Sequence, residues 1–140
     1  NFVGKKRIWD SPELIKAADI MIDRPITCYD RLKCVKALNM MFNSSVDSLM
    51  VIDRQGHFKG VIHAADAADE KNKDEIVGHV MQKECITVSS QESIVDVLNI
   101  TKEKNMYTIP VVDDGILKGL ITKSTLVTTL SKKYDESEGE

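Results

Sequence analysis

The sequence has no apolar run approaching the roughly 20 residues that a bilayer-spanning helix requires. Its N-terminus also lacks the charged-then-apolar layout of a secretion signal. Both absences predict a soluble fragment. Charge of one sign is scarce as well: 19 basic and 22 acidic side chains leave a formal net charge of -3, so there is no bulk drive toward nucleic acid or an anionic membrane. Any anionic ligand must be held locally. The three cysteines, Cys28, Cys34 and Cys85, are odd in number and lack CxxC spacing, which excludes a disulfide framework and a zinc ribbon. They read as reduced, intracellular thiols used as small hydrophobes, with Cys34 on a helical stripe and Cys28 and Cys85 beside strands. The three histidines, His57, His63 and His79, have no metal-ligand spacing. No GxxxxGK[ST], GxSxG, HExxH or paired Cys-His arrangement occurs, so catalysis has no candidate residues.

What the chain does have is a repeat. Its 140 residues, 42% hydrophobic, suffice for one compact domain. Met21, Ile26, Thr27, Val35, Leu38, Asn39, Val51 and Asp53 recur sixty positions later as Met81, Ile86, Thr87, Val95, Leu98, Asn99, Val111 and Asp113. The offset then falls to fifty-nine, pairing Lys59-Gly60 with Lys118-Gly119 after a one-residue shortening where hairpin turns tolerate it.

Each copy opens with a short strand, ITC or ITV, and continues into an amphipathic helix, the first over residues 30 to 43. Cys34, Val35, Leu38, Met41 and Phe42 supply its apolar stripe, and Ile94, Val95, Val97, Leu98 and Thr101 supply that of the second copy. SLMVID and TIPVVD are β-branched apolar runs that turn at RQG or DDG and return as HFKGVI or ILKGLI, a β-hairpin in each copy. Aspartates at those turns are expected to accept local backbone hydrogen bonds. Closing helices follow over residues 63 to 69 and 122 to 132. The fold class is therefore α+β, with the order β-α-β-β-α twice. Strands apolar throughout require burial on both faces, which predicts that the two copies pack on each other with pseudo-two-fold symmetry and leave clefts for ligands.

The expected organisation is a connector over residues 1 to 12 from an upstream domain, repeats over 13 to 72 and 73 to 133, and an acidic disordered tail over 134 to 140. Ser11 and Pro12 can cap and start a helix that includes Leu14 and Ile15.

The segments GVIHAADA and GLITKSTL lead a strand directly into a helix start, where free backbone N–H groups favour anions. His63 or Thr122 at the junction, and Asp66 or Thr125 three residues on, can bond a sugar hydroxyl or a phosphate. The same residues can equally serve as ordinary helix caps.

The ITC and ITV strands, the SLMVID and TIPVVD strands and the closing junctions resemble a tandem CBS-domain pair, or Bateman module, over residues 15 to 132 or so. The resemblance implies a regulator of an attached enzyme, channel or transporter that commonly binds adenine nucleotides and forms disc-like dimers. The family's nucleotide signature places a serine or threonine at the junction and an aspartate three residues later. Here it is split, with His63 and Asp66 in one copy and Thr122 and Thr125 in the other. The segment NFVGKKRIWDSPELIKAADIM is similar to the junction after the ATPase domain in ATP-binding subunits of glycine betaine/carnitine/choline ABC transporters. That similarity implies an upstream ATPase domain, membrane permease subunits as partners and a place at the cytoplasmic face of the membrane. It also implies cyclic di-AMP sensing at a homodimer seam, inhibiting uptake. Carried over residue by residue, Tyr107 would stack on adenine, Leu120 would wall the pocket, Thr122 would donate to phosphate and Lys123 would supply positive charge. Asp47 and Ala64 are the first-copy counterparts of Tyr107 and Lys123. Two other readings remain open: a structural dimerisation or ionic-strength-sensing module, and AMP or ATP sensing through Thr122 or Asp66.

Overall fold

The computed structural model describes residues 14–138, and the side chains of residues 14–132. The connector, and the proposed cap at Ser11 and Pro12, lie outside the described residues. In chain order the elements are α1 (Ala17–Ile20), β1 (Thr27–Tyr29), α2 (Cys34–Ser44), β2 (Ser48–Ile52), β3 (Phe58–His63), α3 (Ala64–Ala67), a 3-10 turn (Glu70–Asn72), α4 (Val77–Val80), α5 (Ile94–Lys104), β4 (Thr108–Asp113), β5 (Ile116–Thr122) and α6 (Lys123–Glu138). No described helix is long and apolar enough to cross a membrane.

The described residues form two compact units whose edges do not coincide with the repeats. One unit holds residues 25–86 with the hairpin tip 114–117, and the other holds 14–24, 87–113 and 118–138. Each unit thus receives its short lead-in helix from the chain segment preceding the other copy.

In the first-repeat unit, β1 runs parallel to β2, with Cys28 opposite Val51, and β2 runs antiparallel to β3, with Leu49 opposite Ile62. Leu49, Met50 and Val51 are all buried, as a strand covered on both faces demands. Cys34, Ala37 and Met41 of α2, with Ala67 and Val77, complete this core. The stripe is narrower than expected: Val35 and Phe42 are exposed. They lie one residue, about 100° around the helix, beyond the buried Cys34 and Met41. The helix also begins four residues later than the expected 30, because Lys33 is extended and bridged to Ile76 while the Cys34 N–H donates to Glu75 O at 2.9 Å. After α3 the expected helix breaks into the 3-10 turn, where the Asp69 carboxylate accepts from the Lys71 N–H at 3.1 Å.

The second-repeat unit builds its core from Ile15, Ala17, Ile20, Val88, Ile94, Val97, Ile109, Val111, Ile121 and Leu126. Among the described residues its sheet consists of β4 and β5; the ITV strand is reduced to one parallel bridge, Val88 with Val111. Proline explains the loss. In the first unit the Met50 N–H donates to Ile26 O at 3.3 Å, but the matching residue here is Pro110, which has no N–H to give. Of the helix expected to include Leu14 and Ile15, Leu14 is in a 3-10 turn and Ile15 is outside any helix; α1 itself starts at Ala17, with the Asp19 carboxylate accepting the Lys16 N–H at 2.8 Å. At the other end α6 continues to Glu138, so helical backbone includes residues 134–138 of the segment expected to be disordered. No proline or glycine interrupts the chain between Lys123 and Glu138.

The repeat survives in small details of backbone geometry. Both α2 and α5 end in a left-handed residue, Ser45 at φ 56° and Asn105 at φ 52°. The shorter second hairpin turns through Asp114 and Gly115, both at positive φ (51° and 82°), the two-residue turn whose twist matches the flanking strands. Gly60 and Gly119 are needed for a different reason, since each lets another stretch of chain cross β3 or β5 at close range. A Cβ on Gly60 would stand 2.5 Å from Gln82 O, and one on Gly119 would stand 2.6 Å from Ile22 O.

Candidate functional site

In the second-repeat unit, β5 passes directly into α6, and this junction assembles Leu120, Thr122 and Lys123 beside Tyr107, the residue preceding β4. Leu120 is half-buried, and its backbone is paired with Ile22 in both directions at 2.8 and 2.9 Å. Tyr107 is 45% exposed, and the Lys123 Nζ sits over its ring, 5.5 Å from the centroid. That is a cation–π arrangement, and no carboxylate pairs with Lys123 among the described residues. Helix capping engages the adjacent threonines. The Thr122 hydroxyl accepts the Thr125 N–H at 3.2 Å, while the Thr125 hydroxyl accepts the Thr122 N–H at 3.0 Å and donates to Thr122 O at 2.9 Å. Thr122 keeps its own hydroxyl proton available for an incoming anion.

In the first-repeat unit the matching junction brings Asp47, His63 and Asp66 together. Asp47 O accepts the Ala64 N–H at 2.8 Å, which ties the start of β2 to the end of β3. His63 does not cap α3; its Nε2 is bonded to Gln82 Oε1 at 2.9 Å. The Asp66 and Asp47 carboxylates are exposed, with no side-chain partner among the described residues. The two junctions therefore differ in sign: one offers an aromatic ring and a cation, the other two carboxylates and an imidazole.

The turn aspartates also diverge. Asp53 accepts from the Gln55 and His57 N–H groups, both at 2.9 Å, as a turn aspartate should. Burial opposes its ionisation, but the backbone and side-chain bonds from His57 outweigh this and hold the carboxyl below its usual range. Asp113 instead reaches out of its hairpin to the Ser90 N–H at 3.0 Å, and the Ser90 bonds hold its carboxyl low. The cysteines are packing residues, as expected: Cys28 and Cys34 are buried and Cys85 is half-buried. Burial raises all three thiols, and that of Cys28 is pushed to about 11 with further help from Cys34 and Asp30.

No sequence motif singled out a recess of about 690 Å³ in the first-repeat unit, lined by Arg31, Lys59, His79 and Lys83. Its members are scattered over three segments that only the fold brings together. The one available signal was the recurring Lys59-Gly60 pair.

Duplicated strand-helix junctions on duplicated α+β units define a tandem module built from two copies of one fold. The chain belongs to the CBS domain family, whose profile matches it twice, over residues 17–72 and 77–132. It is similar to the glycine betaine/carnitine/choline transport ATP-binding protein OpuCA of Bacillus subtilis, with 29% identity over 99% of this chain and 36% of that protein. The chain thus spans about a third of that relative's length. Among solved structures, Staphylococcus aureus OpuCA superimposes with a TM-score of 0.71 at 29% identity, covering 81% of this chain and 97% of that one. CBSX2, solved in complex with AMP, gives 0.78 at 22% identity over 86% of this chain and 98% of its own. The chain is a CBS-pair regulatory module related to the ATP-binding subunits of osmolyte ABC transporters.

Proposed function

We propose that this chain regulates the ATP-binding subunit of a glycine betaine, carnitine or choline importer, and that it does so by binding cyclic di-AMP as a homodimer and reducing uptake. The observation that carries this reading is the Lys123 ammonium poised 5.5 Å from the Tyr107 ring centroid, with Thr122 the preceding residue at the same strand-helix junction. A cyclic dinucleotide needs a flat face for each base and a cation or hydroxyl for each phosphate. One chain supplies one such set. Two copies about a two-fold axis supply two, which matches a ligand that is itself two-fold symmetric. A base stacking on the Tyr107 face now covered by Lys123 would displace the ammonium toward the phosphate, where its charge is worth more than over the ring. Regulation follows if the ligand binds one arrangement of the dimer better than another and shifts the population toward it. The upstream ATPase domain, the permease partners and a site at the cytoplasmic face of the membrane belong to the same reading.

Calorimetric titration with cyclic di-AMP, AMP and ATP tests it. The expected result is selective cyclic di-AMP binding at one ligand per two chains. Tyr107→Ala should weaken it roughly 5- to 150-fold, the loss of about 1–3 kcal/mol of stacking. A second reading, AMP or ATP in the clefts beside each junction, draws support from the unpartnered Asp66 carboxylate, which suits a ribose diol. AMP binding abolished by Asp66→Asn and indifferent to Tyr107→Ala would establish that reading in place of the first.

A further inference from the structure

The recess in the first-repeat unit lies at the opposite end of β3 from His63: Lys59 is near the strand's start and His63 at its end, roughly 13 Å away at strand rise. Arg31 follows β1, and His79 and Lys83 come from α4 and the residues just beyond it. Arg31, Lys59 and Lys83 are exposed and have no carboxylate at ion-pair distance among the described residues. His79 is tied through Nδ1 to Glu75 Oε2 at 2.9 Å, which leaves its Nε2 free. Asp30 is the single carboxylate on the lining.

The walls are fixed by backbone bonds. The Gly78 N–H donates to Asp30 O at 2.8 Å, the Val77 N–H to Leu32 O at 2.7 Å, and Gln82 pairs with Val61 in both directions at 2.8 and 2.9 Å. Gly78 is packed so closely that an added Cβ would stand 3.1 Å from Asp30 O. Three cations against one carboxylate, on walls fixed by these backbone bonds, give the recess a positive excess in a chain of net charge -3, which an entering anion would offset.

We infer that this recess is a second binding site, for a small polyanion of two or three linked phosphate groups. Arg31 supplies a planar fork for one phosphate, Lys59 and Lys83 supply point charges for its neighbours, and the free His79 Nε2 can add a hydrogen bond. A polyphosphate chain uses all three cations at once, whereas a single phosphate satisfies one or two. Its source is a free polyphosphate or the tail of a nucleotide, and competition separates these.

The test is calorimetric titration of the chain with tripolyphosphate at about 0.1 M salt, where diffuse attraction is screened beyond about 10 Å. The expected result is saturable binding that Lys59→Gln/Lys83→Gln weakens at least about tenfold. Lys36→Gln/Lys102→Gln, which removes the same charge from exposed faces of α2 and α5, should leave it unchanged, as should Tyr107→Ala. Circular dichroism confirms that each variant is folded. ATP that displaces tripolyphosphate identifies a nucleotide tail as a source; ATP that does not identifies a free polyphosphate. Absence of binding at about 5 mM, or equal weakening by both lysine double variants, would overturn the assignment. Failure of cyclic di-AMP binding would not touch it, because the two sites share no residue.

Discussion

Met41 and Phe42 are adjacent on α2, yet one is 1% exposed and the other 84%. Met41→Ala is expected to cost about 2–5 kcal/mol, because it opens a cavity in a packed core. Phe42→Ser should change stability by less than about 0.5 kcal/mol; urea unfolding of the two variants checks both. The thiols give a second expectation at this scale. With its pKa near 11, Cys28 carries on the order of one thiolate in a thousand molecules at pH 8, and it is buried besides. Native protein should therefore react with a thiol reagent far more slowly than protein in denaturant, a difference that a chromogenic disulfide reports directly. Much at this scale is legible in sequence: the Thr122 and Thr125 spacing signals a cap, and the cap is there. The partner of Asp113 is not legible, since Ser90 lies in a different part of the fold and no local pattern connects them.

Among the elements, the hairpins and their flanking helices follow from periodicity, because burial imposes the period residue by residue. What periodicity misses is the donor inventory. Thr87 and Val88 look like the start of a strand as Thr27 and Cys28 do, but Pro110 withholds the hydrogen bond that would extend the pairing. The same unit depends on Asp113 to bind residues 89 and 90 to the hairpin. Folding favours the ionised carboxylate, so its contribution is fully present above the unfolded aspartate pKa of about 3.9 and is lost as pH falls through the lower folded value. Asp113→Asn should flatten the fall in urea midpoint over that acidic range, with Asp53 accounting for part of what remains. Gly119→Ala should destabilise the unit by about 1–3 kcal/mol through overpacking against Ile22 O and the Met21 side chain, read as a lowered melting temperature.

At the scale of the whole molecule, the repeat announces two units but not their edges. Residues 14–24 and 73–86 carry equivalent patterns, and only long-range pairings such as Ile22 with Leu120 and Val61 with Gln82 show which unit each completes. Removing residues up to Ile22 takes Ile15, Ala17 and Ile20 out of the second-repeat core. Hydrogen exchange should then accelerate through 87–113 and 118–126 while the core strands β2 and β3 stay protected; uniform acceleration would show that the units do not open separately.

The pairing of Ile22 with Leu120 also has a meaning in time. Its partners stand 98 residues apart in the chain, and closing so long a loop is what slows folding in topologies rich in distant contacts. On a ribosome adding roughly 5–20 residues per second, Ile15 and Ile20 emerge and wait several seconds before β5 exists to receive them. The first-repeat sheet can form during that interval, so synthesis itself orders the folding of two units that sequence alone presents as equals.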